Sequence, residues 1–254
     1  KADIDNLGLV FTSSLGTRLS LARYADMSRI LHYFFSTYYA YFAETNPAYK
    51  NKIYTVFSGG DDLCVLGPWN VILHFAYDFR QELQKLTNNN PSVTLSGGIV
   101  LTSPSLPVRN IAEAAEDQLE LSKDFNGDQT KQNGLIMKNA VTVFNTSVSW
   151  EDFYTYLGYG KQLSAYMQKG EIGTAPVYKL INFADREKQV RAGNVHEIVW
   201  RSNFRYTVAR NIKEEDAELK NLFLSFGTAD SILKARIAAS YALYANRTST
   251  EEGV

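Results

Sequence analysis

The sequence is poor in cysteine, with Cys64 alone among its 254 residues. One cysteine cannot form an internal disulfide, and its place in an apolar run predicts a small core residue rather than a nucleophile. The chain also lacks a signal peptide and any uninterrupted apolar run near about 18 residues, the length that a membrane span needs. We therefore expect no membrane partner and a cytoplasmic location.

An excess of positive charge is missing too. Lysine and arginine total 26 against 27 aspartates and glutamates, for a formal charge of −1. This balance excludes the global basic field of non-specific nucleic-acid binders, so any nucleic-acid contact must be local. What the chain does have is 45% apolar and 13% aromatic residues. That content predicts one large or two small globular domains with a sizeable core.

Two short apolar runs, residues 53–57 and 63–66, flank the segment Ser58-Gly59-Gly60-Asp61-Asp62. Both runs are rich in β-branched and aromatic residues and are too short for a helix, so they predict a β-hairpin. Adjacent glycines can adopt the positive φ of a primed turn. Turn chemistry explains one aspartate but not two, and the second therefore indicates a function.

The first residues, 2–11, also alternate like a strand but carry Asp3 and Asp5. Strands are depleted in aspartate, so two in one strand need a reason. If this strand pairs with the hairpin, Asp3 or Asp5 comes close to Asp61 and Asp62. Clustered carboxylates repel one another unless a cation neutralises them, and an all-oxygen set suits Mg²⁺ or Mn²⁺. We expect Asp3, Asp61 and Asp62 as metal ligands, with Asp5 as a further candidate unless a bulge turns it away.

Four blocks, in this order, resemble the second palm domain of the large subunit of type III CRISPR effectors of the Csm subtype. They are Asp3-Ile4-Asp5-Asn6-Leu7-Gly8, Phe57-Ser58-Gly59-Gly60-Asp61-Asp62-Leu63, Leu95-Ser96-Gly97-Gly98-Ile99-Val100 and Lys138-Asn139-Ala140-Val141-Thr142-Val143-Phe144. The resemblance implies an α+β fold: a ferredoxin-like palm over residues 1–148, with an antiparallel sheet and helices on one face. Residues 149–254 are expected to form an all-helical domain.

The resemblance implies an ATP-using nucleotidyltransferase that makes cyclic oligoadenylate in antiviral defence. Its expected partners are ATP, other effector subunits, and guide and target RNA bound through the complex, and its expected cofactor is a pair of Mg²⁺ or Mn²⁺ ions. The expected catalytic residues are Asp3, Asp61 and Asp62. The residues expected to contact nucleotide or metal through other groups are Ile4, Asn6, Leu7, Gly8, Ser58, Gly59, Gly60 and Lys138.

The family's nuclease domain, first palm domain and four-cysteine zinc element have no counterpart in this sequence, which begins at Lys1 within a predicted strand. We therefore expect a fragment that needs the other palm for turnover. Two alternatives stay open. One is a diguanylate-cyclase-like enzyme using GTP, although its hairpin typically continues with Glu-Phe where Asp62-Leu63 stands here. The other is a non-enzymatic scaffold or RNA-binding subunit.

Apolar spacing and turn residues predict the remaining elements. The expected helices span residues 18–43, 68–86, 108–123, 150–169, 176–188, 195–212 and 229–246, and the expected strands 93–101 and 138–144. Gly97 and Gly98 in one of these strands indicate either a bulge or room for a nucleotide. Arg201 and Arg205 share one helix face and either pair with the acids at positions 214–216 or contact RNA.

Overall fold

The computed structural model describes residues 1–13, 20–125 and 138–247. By internal contacts the chain divides into two compact units, Lys1–Trp150 and Glu151–Val254. Among the helices of the described ranges, none combines the length and the apolar character that crossing a bilayer requires.

The first unit combines strands and helices. In chain order its elements are β1 (Ala2–Ile4), α1 (Leu7–Ser13), α2 (Leu21–Tyr33), a π-helical turn (Phe34–Tyr38), α3 (Tyr39–Thr45), β2 (Tyr54–Gly59), β3 (Asp62–Leu66), α4 (Trp69–Leu86), β4 (Leu95–Ile99), α5 (Val108–Lys123), β5 (Ala140–Val143) and β6 (Thr146–Ser149).

The strands form one sheet in the order β2-β3-β1-β4-β5-β6. Its first four strands have the arrangement of a ferredoxin-like palm, so the predicted α+β fold is confirmed. The prediction of a wholly antiparallel sheet needs a correction, because β4 and β5 run parallel. The chain between them includes helix α5, and a parallel pair requires a crossover connection of this kind.

The first strand is shorter than the predicted residues 2–11. It ends at Ile4, and Asn6 then adopts φ 51° and turns the chain into α1. Val10 and Phe11 of this helix are buried. Apolar residues at positions 7, 10 and 11 fit a helical repeat as well as a strand, so the extension of β1 beyond Ile4 was wrong.

The predicted helix 18–43 is observed as one continuous helical run from Leu21 to Thr45, with a π-helical turn in its middle. Helix α2 begins after Ser20, whose hydroxyl accepts a hydrogen bond from the Arg23 N–H at 3.3 Å, and it continues through the π-helical turn into α3. The first residues of the predicted helix, 18 and 19, lie outside the described residues. On the inner side of these helices an aromatic cluster packs against α4, with ring centroids 5.0 to 6.0 Å apart: Phe34, Phe35, Tyr39, Phe75 and Phe79.

The glycines of β4 are explained by packing on both faces of the strand. A Cβ at Gly98 would lie 2.2 Å from the Leu119 nitrogen and 2.5 Å from the Ala115 carbonyl oxygen of α5. On the opposite face, a Cβ at Gly97 would lie 3.1 Å from the Trp150 ring. The pairing of β4 with β1 has no register shift, so these glycines do not mark a bulge there. The space beside them is occupied by α5 on one face and by the Trp150 indole on the other.

All regular elements in the described part of the second unit are helical. They are α6 (Trp150–Gln168), α7 (Thr174–Arg191), a 3₁₀ turn (Val195–Val199), α8 (Trp200–Asn211), α9 (Ala217–Ser225) and α10 (Ala229–Ala245). A buried Trp200 anchors α8, its indole N–H donating to the buried Glu187 carboxylate of α7 at 2.8 Å. The nine-residue α9 was not predicted from the sequence.

Candidate active site

The candidate site lies where β1 meets the tip of the β2–β3 hairpin. Asp3 of β1 is the direct cross-strand partner of Asp62 of β3. On β2, Gly59 pairs with Asp62, which leaves Gly60 and Asp61 as a two-residue turn. Gly60 has φ 67° and Asp61 is not in the positive-φ region, which matches a type II′ hairpin turn. Strand pairing thus brings the predicted acids Asp3, Asp61 and Asp62 together.

The electrostatics of these acids reflect their proximity. Partial burial and the negative charge of Asp3 raise the pKa of Asp61, and the two carboxyl groups are within hydrogen-bonding reach of each other. Burial, Asp3 and Asp61 likewise raise the pKa of Asp62. Carboxylates that repel each other in this way gain from a nearby cation. The arrangement therefore has the charge properties of a cation-binding site.

Lys123 supplies a positive charge beside these acids, and this role was not predicted from the sequence. Its ammonium group lies 2.9 Å from an Asp3 carboxylate oxygen and 3.1 Å from Glu120. Burial lowers the pKa of Lys123, but the hydrogen bonds to Asp3 and Glu120 outweigh this and raise it above the ordinary lysine range. In the sequence Lys123 reads as an ordinary basic residue in the last turn of a helix, where the helix dipole already favours one.

Asp5, the further candidate ligand, has a different environment. It is 2% exposed, and its carboxylate accepts hydrogen bonds from the Thr94 hydroxyl at 2.8 Å, the Ser96 hydroxyl at 2.6 Å and the Asn139 N–H at 2.9 Å. Burial raises the pKa of Asp5 despite these bonds. The structure thus places Asp5 as a link between β1, β4 and the start of β5, apart from Asp61 and Asp62.

The backbone groups expected to contact phosphates follow the end of β1. Ile4 is buried and pairs with Leu95 of β4. Asn6 precedes α1, and Leu7 and Gly8 are its first two residues. Contact between these backbone groups and phosphate stays a prediction of the resemblance. A Cβ at Gly8 would meet nothing within 4 Å, which leaves this turn sterically open.

Ser58 and Lys138 lie near the site without joining the acids. The Ser58 hydroxyl donates to the Phe35 carbonyl oxygen in the π-helical turn, which fixes β2 to the aromatic cluster. Lys138 is close enough to Asp5 for its charge to lower that carboxyl's pKa. It is Lys123, rather than Lys138, that contacts Asp3.

The donor set fits a hard divalent cation, since aspartate oxygens on paired strands are the ligands such ions prefer. In the side-chain positions of the described residues, however, no three histidine, cysteine, aspartate or glutamate side chains converge as metal ligands. Asp3 is instead directed to Lys123. Binding of a cation by all three aspartates therefore requires side-chain rotation, with the strand register unchanged.

Comparison with known proteins agrees with this architecture. Residues 1–134 match the family described as "Cas10/Cmr2, second palm domain". The chain is 30% identical over 203 residues to the Methanocaldococcus jannaschii protein "CRISPR system single-strand-specific deoxyribonuclease Cas10/Csm1 (subtype III-A)", an alignment that covers 74% of this chain and 25% of the relative. The chain thus spans about a quarter of the length of that protein.

Solved structures share the fold. A Csm1–Csm4 cassette in complex with cA3 aligns with a TM-score of 0.60 and 20% identity, over 92% of this chain and 35% of the other. A Csm1–Csm4 cassette in complex with one ATP gives 0.59 and 22% over the same shares. The family match covers more than half of the chain and includes β1, the Gly-Gly-Asp-Asp hairpin and α5. The chain therefore belongs to the family of Cas10/Cmr2 second palm domains.

Proposed function

We propose that this chain supplies the acidic half of a metal-dependent nucleotidyltransferase that makes cyclic oligoadenylate from ATP within a type III CRISPR effector complex. The observation that carries this proposal is the pairing of Asp3 with Asp62 beside Asp61. The family membership supports it, and so do the related cassettes that bind ATP and cA3.

In this proposal Asp3, Asp61 and Asp62 hold Mg²⁺ or Mn²⁺. Bound there, the ions would activate a ribose hydroxyl and neutralise the triphosphate, so that attack on the α-phosphorus expels pyrophosphate. The chain's own groups position the reactants. The type II′ turn places the half-buried Asp61 at the hairpin tip. The N–H groups of Leu7 and Gly8 are proposed to donate to phosphate oxygens, and Lys123 adds a positive charge beside the acids.

The other half of the proposed site comes from outside this chain. A palm that binds one ATP cannot by itself join two nucleotides, so turnover requires a second palm domain. Other effector subunits and guide and target RNA are the remaining proposed partners. We therefore propose that residues 1–254 alone bind ATP weakly and make no cyclic product.

The test is reconstitution of the full effector complex with labelled ATP, Mg²⁺ and target RNA, followed by identification of the product. Asp61→Asn combined with Asp62→Asn should abolish cyclic oligoadenylate, whereas Asp117→Asn, an exposed acid of α5, should not. Replacing ATP by GTP distinguishes the guanylate alternative. If the double variant makes as much product as the wild type, the site lies elsewhere and the scaffold interpretation is favoured.

A further inference from the structure

The candidate acids and the start of β5 lie at the same end of the sheet. Ile4, the last residue of β1, pairs with Leu95, the first residue of β4, and β5 begins at this end too because it runs parallel to β4. The turn of the β2–β3 hairpin is also there, since β3 begins opposite Asp3. The strand order places β5 two strand spacings from β1, or about 10 Å. Lys138, two residues before β5, therefore belongs to the end of the sheet that carries the acids.

Asn139, the residue directly before β5, is held by side chains from two other elements. Its N–H donates to the Asp5 carboxylate at 2.9 Å, and its side-chain oxygen accepts from the Arg80 guanidinium of α4 at 3.4 Å. Asn139 has φ 36°, a left-handed conformation that asparagine adopts more readily than most residues. The pairing of β5 with its neighbours starts only at Ala140. Asp5 and Arg80 thus act on the chain just before strand pairing begins.

The hydrogen bonds of Asp5 differ in what they join. The two from the Thr94 and Ser96 hydroxyls lie between β1 and the start of β4, which the backbone already pairs. The third, from the Asn139 N–H, reaches the segment before β5. All three partners are donors, and a carboxylate can accept from each of them, whereas an amide side chain would meet one with a donor of its own. The third bond is the one that extends beyond the strand pairing.

Lys138 is the charged residue on this segment. It is half-buried, and it is close to Asp5: burial raises the pKa of that carboxyl, and the charge of Lys138 opposes this. A lysine binds phosphate as a compact charge on a flexible four-carbon stem. The stem does not fix the position of the ammonium group, so the backbone at Lys138 has to be held in place by its surroundings.

We infer that Asp5 is a positioning residue: through the Asn139 N–H it holds the backbone of Lys138 at the end of the sheet that carries the acids, where the ammonium group binds a phosphate oxygen of ATP. Arg80 supports the same residue from its side-chain oxygen. The inference rests on the proposed function, which supplies the nucleotide. Asp5 itself touches neither ATP nor metal in this assignment.

The experiment is a double-mutant cycle on the affinity of the full chain for ATP in Mg²⁺, measured by isothermal titration calorimetry. Lys138→Gln should weaken ATP binding about tenfold, the loss of one hydrogen bond between charged groups. Asp5→Ala should weaken it about fivefold, because the lysine stays but is no longer held. Lys138→Gln/Asp5→Ala should bind within about twofold of Lys138→Gln alone, since Asp5 acts only through the lysine. Additive losses, or unchanged affinity in Asp5→Ala, would overturn the inference.

Two further variants separate positioning from stability. Asp5→Asn should keep ATP affinity within about twofold of wild type, because its amide oxygen can accept from Asn139 while a neighbouring hydroxyl turns to accept from the amide. Thr142→Val removes a buried hydroxyl of β5 that bonds the Ser147 hydroxyl at 2.7 Å, and it should lower the unfolding temperature without changing ATP affinity. The inference fails if Thr142→Val weakens ATP binding as much as Asp5→Ala, or if Asp5→Asn does.

Asn139→Gly tests the same link if Asp5→Ala does not fold. Glycine keeps the N–H and suits φ 36°, but it removes the acceptor for Arg80 and lets the backbone move. ATP should bind about threefold more weakly, and only in the presence of Lys138. Circular dichroism at the temperature of the titration checks that each variant is folded. An equal loss with and without Lys138 would contradict positioning.

Kinetics of the reconstituted effector complex distinguish failure of this inference from failure of the proposed function. Asp5→Ala should raise KM for ATP about fivefold and leave kcat within about twofold of wild type, since the lysine contact is the same in ground and transition states. A lower kcat with unchanged KM would contradict the positioning inference alone. Continued synthesis of cyclic oligoadenylate by Asp61→Asn/Asp62→Asn would contradict the proposed function, whatever the result for Asp5.

Discussion

Lys123 at the end of α5 and Asp3 on β1 form an ion pair of 2.9 Å, although 119 positions separate them along the chain. The ammonium group lies where a divalent cation is expected to bind the same carboxylate. In the proposed function, the Lys123 ammonium group and the metal ion compete for Asp3, so the ion pair would have a functional role as well as a structural one.

We predict that Lys123→Gln tightens Mn²⁺ binding to the nucleotide-free chain by about threefold to tenfold, on the order of 1 kcal/mol for a partly exposed ion pair. Removing the ammonium group frees Asp3 and removes a charge that repels the metal. Isothermal titration calorimetry measures the change. Lys85→Gln, which removes an exposed lysine paired with Glu82, is the control and should have no effect. Weaker Mn²⁺ binding in Lys123→Gln would show that the lysine supports the metal site instead.

Asp62→Asn should stabilise the metal-free chain by about 0.2–1 kcal/mol, because like charges directly opposite on paired strands are destabilising. The gain should depend on pH. Since the pKa of Asp62 is raised in the folded chain, folding takes up protons, and wild-type stability falls as pH rises from the ordinary aspartate value, about 3.9, through the higher folded value.

The advantage of Asp62→Asn should accordingly be absent well below that window and constant above it. Urea denaturation across pH measures it, with Asp117→Asn as the control for loss of one exposed acid. Addition of Mn²⁺ should reverse the order, because only the wild type retains the full ligand set. A variant less stable than the wild type at neutral pH without metal would contradict the repulsion argument.

Asp5→Ala should lower the free energy of unfolding by about 2–3 kcal/mol, because it leaves buried donors from Thr94, Ser96 and Asn139 without their acceptor. Mn²⁺ affinity should stay within about twofold of wild type in the folded protein, a change below about 0.5 kcal/mol. Chemical denaturation and calorimetry give the two quantities. A large loss of metal affinity with little loss of stability would make Asp5 a ligand after all.

Gly98→Ala should destabilise the first unit by about 3 kcal/mol or more, because the added methyl would overlap main-chain atoms of α5 that cannot rotate away. Gly8→Ala is the matched control, since its added methyl meets nothing within 4 Å. Thermal unfolding followed by circular dichroism compares them. Equal unfolding temperatures would mean that α5 can withdraw from β4 at little cost.

The sequence predicted the hairpin, β4, α4, α5 and the helical second unit because each has a clear repeat or a turn signal. Helix α5 matched its predicted bounds, residues 108–123. The segment after Ile4 could not be predicted in this way, because its short apolar run fits both the helical repeat and the alternation of a strand. The parallel pairing of β4 and β5 depends on a crossover, which periodicity does not report.

Within the candidate site, the proximity of Asp3 and Asp62 could be predicted from the sequence, because strand alternation and a glycine turn restrict their register. The contact of Lys123 with Asp3 could not be predicted, since nothing about a lysine at a helix end specifies a contact with a strand so distant in sequence. The role of Asp5 was equally inaccessible. Its environment depends on Asn6 turning the chain and on the hydroxyls of Thr94, just before β4, and Ser96 within it, and neither follows from alternation.

The close approach of α5 to Gly98 of β4 has a consequence for the position of Lys123. Main-chain atoms have no rotamers, so α5 could not make room for a side chain at position 98 by rotating a side chain of its own. The position of the Lys123 ammonium group, at the end of α5, therefore depends on glycine at position 98.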